Sequence, residues 1–277
     1  MPPSRSPRER FAAAVSVADD AVDLAEAALL IAAEVYPALD LAHYLRALDD
    51  LAAAAEPTLR GAGADTDRLR RLVHFLAVES RFRGNQDDYY DRRNSFLNEV
   101  LDRRVGIPIT LALVYMEVAR RLDLPLVGVG FPGHFLAKHP GPPEIVIDPF
   151  FGKILGPRDC EQRLRAVLGE DARLDPAHLR AATPREILVR LLRNLKQIHL
   201  QARELEAALA CSERILLVVP ELPQELRDRG LLYAQLECFA AARADLERFL
   251  ALAPNDPSAA AVRQRLIDLG RSGATLH

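Results

Sequence analysis

The apolar positions of this chain follow helical spacing towards both ends and strand-like alternation only near the middle. Between about Glu9 and Tyr36, Phe11, Val15, Val17, Val22, Leu24, Leu29 and Leu30 recur at threes and fours in an Ala-rich background that favours helix. Asp40 is placed to cap a helix over residues 41–55, with Leu45, Leu48, Leu51 and Ala52 on one side. GAGADTD then interrupts the pattern, and Thr66 or Asp67 restarts it for Leu69, Leu72, Phe75 and Leu76. The N-terminal quarter therefore reads as a helical layer behind a frayed Pro-, Ser- and Arg-rich tail over residues 1–9. Residues 84–95, GNQDDYYDRRNS, lack periodicity and read as an ordered loop in which Tyr89 and Tyr90 pack against something; Asn94 or Ser95 then caps a short helix through Leu101.

The middle of the chain changes character. Gly106-Ile107-Pro108 fits a turn with Pro in the first helical turn, where its missing N–H does no harm. The helix that follows, to about Leu122, is apolar almost all round, which predicts a buried central helix. LVGVGF, HFLAKH and IVID then read as three strands joined by Pro132-Gly133 and HPGPPE. Alternation places His134, Leu136 and Lys138 on one face, and Phe135, Ala137 and His139 on the other. Helices resume over residues 160–168, 176–182 and 184–203.

The C-terminal third repeats itself. AALACSERILLVVP aligns on AARADLERFLALAP at an offset of 34, with seven identities in fourteen positions and a closing Pro in each unit, Pro220 and Pro254. That period is the signature of tetratricopeptide helix pairs. Gly230 and Tyr233 fit the first helix of the second unit, and Asn255-Asp256-Pro257 starts a last, capping helix. Two repeats are too few to stand alone, so the array is expected to pack on the preceding domain through the helix over 184–203.

Composition narrows the functional classes. A formal net charge of -3 offers no basic excess for nucleic acid or acidic lipid, and neither is expected as a partner. No apolar run approaches a membrane span, and FAAAVSVA near the N-terminus makes a poor signal segment. Cys160, Cys211 and Cys238 form neither a metal spacing nor an even disulfide framework, so a reducing cytoplasm is expected, with packing as the role of each thiol. No metal and no cofactor are expected, since His134 and His139 fall on opposite faces of the strand read there.

Residues 94–148 carry the candidate chemistry. A helix N-terminus, a His and an Asp are the scaffold on which an activated nucleophile is built: the dipole favours an anion, the His takes the proton, and the Asp holds the imidazole. Here these are the GIPIT turn, His134 and Asp148. The stretches NSFLNEVLDRRVGIPITL, FPGHFLAKH, IVIDPFFG, ILVRLLRNLKQIHL and RDRGLLYAQLE resemble the bacterial SirB-one family, a transglutaminase-like core fused to tetratricopeptide repeats. The resemblance implies an α+β, predominantly helical fold. Its parts would be a helical N-terminal layer, a core with a small antiparallel sheet, and helix pairs at the C-terminus. Residues 10–183 would form the layer and core, and 184–277 the repeats. It also implies that His134 and Asp148 match the His and Asp of the wider superfamily's triad, while counting back from Asp123 places Pro108 at the nucleophilic Cys. The expected function is thus a non-catalytic interaction or regulatory protein that binds a protein or peptide through a tetratricopeptide groove. The alternative is a hydrolase or acyl transferase using Thr110, or less directly Ser95, with His134 and Asp148. A third reading is a small-ligand binder using His134 and the loop tyrosines.

Overall fold

The computed structural model describes residues 5–142 and 144–274, with side chains to residue 270. It divides into two compact units, residues 1–191 and 192–277, the division falling inside one helix.

The first unit begins with helices. α1 (Pro7–Val15) starts inside the tail expected to fray, because Ser6 accepts from the Glu9 N–H while the Glu9 carboxylate accepts from the Ser6 N–H; residues 1–4 lie outside the described residues. The periodic stretch that follows is broken by a short 3-10 turn before α2 (Leu24–Ala33), capped by Asp23 and buried along nearly its whole length. α3 (Leu41–Leu59) is capped by Asp40 and runs past Pro57, where Thr58 Oγ1 donates to the Ala55 carbonyl at 2.7 Å. α4 (Asp65–His74) ends in a π turn over Phe75–Glu79. A two-residue strand, β1 (Arg83–Gly84), pairs in parallel with β2 (Val105–Gly106) across the loop and α5 (Leu97–Arg103). Neither strand has a periodic signal in the sequence. They hold the loop against the start of α6 (Pro108–Arg121), the buried central helix.

Two phenols of this helical layer lean on α5. Tyr44 donates to Asp102 at 2.7 Å, and Tyr36 bonds Glu99. Burial first, then the adjoining carboxylate, pushes both phenols up to about 12. A raised folded pKa means that the stabilisation is complete below pH about 10, the unfolded value, and is lost as pH rises towards about 12. Stability measured across that window should fall more steeply in wild type than in the Tyr36→Phe, Tyr44→Phe double variant; parallel curves would refute the link.

The sheet is an antiparallel meander of β3 (Val127–Val129), β4 (Leu136–His139), β5 (Ile145–Asp148) and β6 (Lys153–Leu155). β6 went unpredicted, since three residues are too few for periodicity. Val129 pairs with Leu136, and Val146 with Lys138, so Val129, Leu136 and Val146 share one face. There they pack with Phe131 and with Cys160 and Leu164 of α7 (Pro157–Leu168). Asp148, two residues after Val146, falls on the same α7 side. The helix expected over 176–182 is only a 3-10 turn at Pro176–Leu179; Ala181 instead bridges to Val129 at the sheet edge.

α8 (Pro184–Gln201) leads into the second unit, which continues with α9 (Leu205–Val218), α10 (Pro223–Gln235), α11 (Phe239–Leu252) and α12 (Ala259–Ala274). The 34-residue period is visible in the backbone. Arg203 and Glu237 both adopt left-handed φ, 60° and 59°, in equivalent turns between paired helices. A Cβ at Gly230 would lie 2.9 Å from Leu246, so glycine lets α10 close on α11. Ala242, Leu246, Phe249 and Val262 form the core. Cys211 is buried, as expected of a packing residue, but Cys238 is exposed at the start of α11.

Candidate functional site

Asp148 ends β5 and is fully buried. Its Oδ1 lies 3.0 Å from His134 Nε2 and accepts from the Phe150 N–H at 3.0 Å. Arg163 of α7 stands 2.6 Å from Oδ2, an ion pair whose angle is not that of a hydrogen bond. The carboxylate therefore faces a cation, an imidazole and a backbone amide, a partner set that suits a buried charge.

His134 does not sit on the strand where alternation placed it. β4 starts at Leu136, and His134 closes the preceding turn, its N–H donating to the Phe131 carbonyl at 3.0 Å. Gly133 makes this possible with φ of 65°. The imidazole lies parallel to Phe151, with centroids 6.5 Å apart, and edge-on to Phe150 at 6.0 Å. With the Asp148 carboxylate as acceptor, Nε2 is the ring nitrogen that donates. His134 and Asp148, expected from the sequence to meet, thus stand at hydrogen-bond distance.

Thr110 lies elsewhere in the network. It is fully buried, and its Oγ1 donates to the Asn94 carbonyl at 2.7 Å and accepts from the Ile107 N–H at 3.1 Å. One hydroxyl proton serves one strong bond, and here it goes to Asn94. Asn94 is itself the hub of the loop, accepting from the Asn85 side chain at 3.1 Å and donating to the Asp88 carbonyl at 2.8 Å. Thr110 thus ties the first turn of α6 to that loop. Among the described residues its hydrogen bonds do not include His134. Ser95 is buried, with no partner for its hydroxyl among the described residues. Pro108, at the start of α6, is also buried.

Several neighbours escaped the sequence reading. Tyr115 of α6 is fully buried with no partner for its hydroxyl among the described residues, and burial with the Asp148 charge pushes that phenol strongly up. Arg190 of α8 donates to the carbonyls of Phe131 at 3.2 Å and His134 at 2.5 Å, fixing the turn that carries the imidazole. Of the two loop tyrosines expected to pack, Tyr89 does so on Phe150 with centroids 6.0 Å apart, whereas Tyr90 is largely exposed. In the sequence, the loop tyrosines and the adjoining Phe150 and Phe151 are the residues that could mark an aromatic surround. Among the described residues, no cluster of His, Cys, Asp and Glu is arranged to hold a metal.

Residues 42–193 match the family model of the transglutaminase-like superfamily, and residues 195–267 match that of the tetratricopeptide repeat. The molecule is therefore a transglutaminase-like core joined to tetratricopeptide repeats. It is 40% identical over 271 residues, 95% of each chain, to a UPF0162 protein of Xylella fastidiosa (strain 9a5c). Identity is 42% over 246 residues to a UPF0162 protein of Pseudomonas aeruginosa, covering 89% of this chain and 90% of the relative. It is 32% over 232 residues to Protein SirB1 of Salmonella typhimurium, covering 83% and 86%. The chain belongs to this SirB1/UPF0162 family of transglutaminase-like proteins. No solved structure matches it.

Proposed function

We propose that the protein is a non-catalytic interaction or regulatory protein, whose core has the His and Asp of a transglutaminase-like site with Pro108 at the nucleophile position. The observation that carries this reading is the state of the hydroxyl nearest that position: Thr110 Oγ1 is buried and committed to Asn94 and Ile107. A hydroxyl so engaged would have to break a 2.7 Å bond inside the protein before it could meet a base. The tetratricopeptide helices supply the partner surface, a groove for a peptide or protein. A cytoplasmic location fits three cysteines whose number and spacing make no disulfide framework, and no described helix is long and apolar enough to cross a membrane. The alternative, acyl transfer through Thr110, draws on the His134–Asp148 pair at 3.0 Å.

An acyl-ester panel and a hydroxyl-reactive covalent probe separate the two. We expect wild type, His134→Ala and Thr110→Val to show the same background turnover and labelling. Labelling of wild type that vanishes in both variants would establish the hydrolase instead.

A further inference from the structure

Arg190 is a half-buried cation without an acidic partner among the described residues. Its described contacts are the carbonyls of Phe131 and His134 and the face of the Phe135 ring, 5.4 Å from the guanidinium carbon. Glu186, one turn earlier on α8, is taken by Arg180 at 2.6 Å, and Asp148 is taken by Arg163 and His134. Arg163 is answered by Asp148, whereas no carboxylate among the described residues pairs with Arg190, which leaves that positive charge uncompensated. Burial presses the Arg190 guanidinium below its ordinary value, while Tyr89 pulls the other way. A partly desolvated cation of this kind gains from an anion more than an exposed one does.

The open side of that cation is also visible. Nη1 lies over Gly130, an exposed residue where a Cβ would stand 3.3 Å from it. Around the same turn the surface is apolar. Phe151 is 43% exposed and stacks on His134, and Tyr89 is 40% exposed. Val167, 51% exposed, lies against Gly133. Exposed apolar side chains gathered beside one unpaired guanidinium describe a ligand with both characters.

We propose that the mouth of the His134–Asp148 pair is a binding site for a carboxylate borne on an apolar group, with Arg190 pairing to the carboxylate and Phe151, Tyr89 and Val167 contacting the apolar part. A monoanion matches the single uncompensated charge, and the planar guanidinium fork matches a carboxylate. The ligand is either the C-terminus of a peptide ending in an apolar residue or a free apolar acid. This inference rests on reading the core as a cleft that binds rather than reacts.

The test is calorimetric titration of the full chain with N-acetylphenylalanine, its amide, and an acetylated tetrapeptide ending in Phe with a free carboxylate. The acids should bind about tenfold or more tightly than the amide, and more weakly at high salt. Arg190→Gln should erase the difference between acid and amide. Gly130→Val, which keeps the guanidinium but crowds Nη1, should weaken the acids by about tenfold without touching the turn's hydrogen bonds. A peptide that binds where the small acid does not identifies a chain terminus as the source, and the converse identifies a free acid. Equal affinity for acid and amide, acid binding unchanged in Gly130→Val, or no binding to the folded chain would overturn the proposal. Mass spectrometry of the recovered ligand separates the two readings: a bound acid that is chemically altered refutes the non-catalytic reading and leaves the carboxylate site standing.

Discussion

Glu225→Ala is expected to destabilise the second unit by roughly 3–5 kcal/mol, the range for stranding one partner of a buried ion pair. Glu225 is fully buried, and Lys196, also buried, places Nζ 2.5 Å from its Oε1 and 3.1 Å from Asp228. Arg193 adds a longer pairing at 3.8 Å to Oε2. Among the described residues, removing Glu225 leaves the Lys196 ammonium with only the more exposed Asp228 for charge compensation, and it opens a polar void between α8 and α10. A second variant distinguishes a stranded charge from simple loss of volume. Lys196→Met combined with Glu225→Leu removes both charges and keeps the bulk, so it should recover most of the loss. Because the chain has two units, global unfolding alone does not locate the effect. Hydrogen exchange over residues 192–274 should rise in the single variant and return towards wild type in the double one. A loss under about 1 kcal/mol for Glu225→Ala would mean that the pair is solvated in practice, like a surface bridge.

That ion pair was invisible in the sequence, and the reason separates what could be read from what could not. The offset of 34 between the second helices of the repeats reappears unaltered in α9 and α11, because a repeat has to bury the same face each time it stacks. The central helix was equally legible, since apolar residues on all sides leave burial as the only option. His134 and Asp148 were legible as residue types on neighbouring segments, and they do meet. The strand assignment of His134 failed because Pro132-Gly133 extends the turn by two residues and alternation counts only from Leu136. Arg163 and Arg190 carried no signal at all. They sit on helices whose periodicity reports burial, not which exposed position faces a site brought in from elsewhere in the chain. Thr110 shows the converse: its position in the first turn of α6 suggested chemistry, and only the path of the loop at Asn94 revealed where its hydroxyl points.

Asp148→Ala should destabilise the first unit by roughly 3–5 kcal/mol, and substantially more than His134→Ala. Asp148 is buried and answers Arg163, the Phe150 N–H and His134, so its removal leaves a guanidinium and an amide without their acceptor. His134 is held independently. Its turn is fixed by Arg190 and Phe131, and its ring rests on Phe151, so losing the ring removes contacts but strands no charge except by loosening Asp148. Asp148→Asn should fall between them, at about 1–3 kcal/mol, since the amide oxygen can still accept from Phe150 while the charge opposite Arg163 is gone. Denaturant unfolding of the three variants gives the order directly. Asp148→Ala first, Asp148→Asn second and His134→Ala last would make Asp148 a structural anchor whatever His134 contacts. If His134→Ala proved as damaging as Asp148→Ala, the imidazole would be the element holding the turn to β5, and Arg190 would be secondary to it. The ranking bears on the proposed carboxylate site, because a turn that survives the loss of its imidazole keeps Gly130, Arg190 and Val167 in place and lets the binding of an acid be measured without His134.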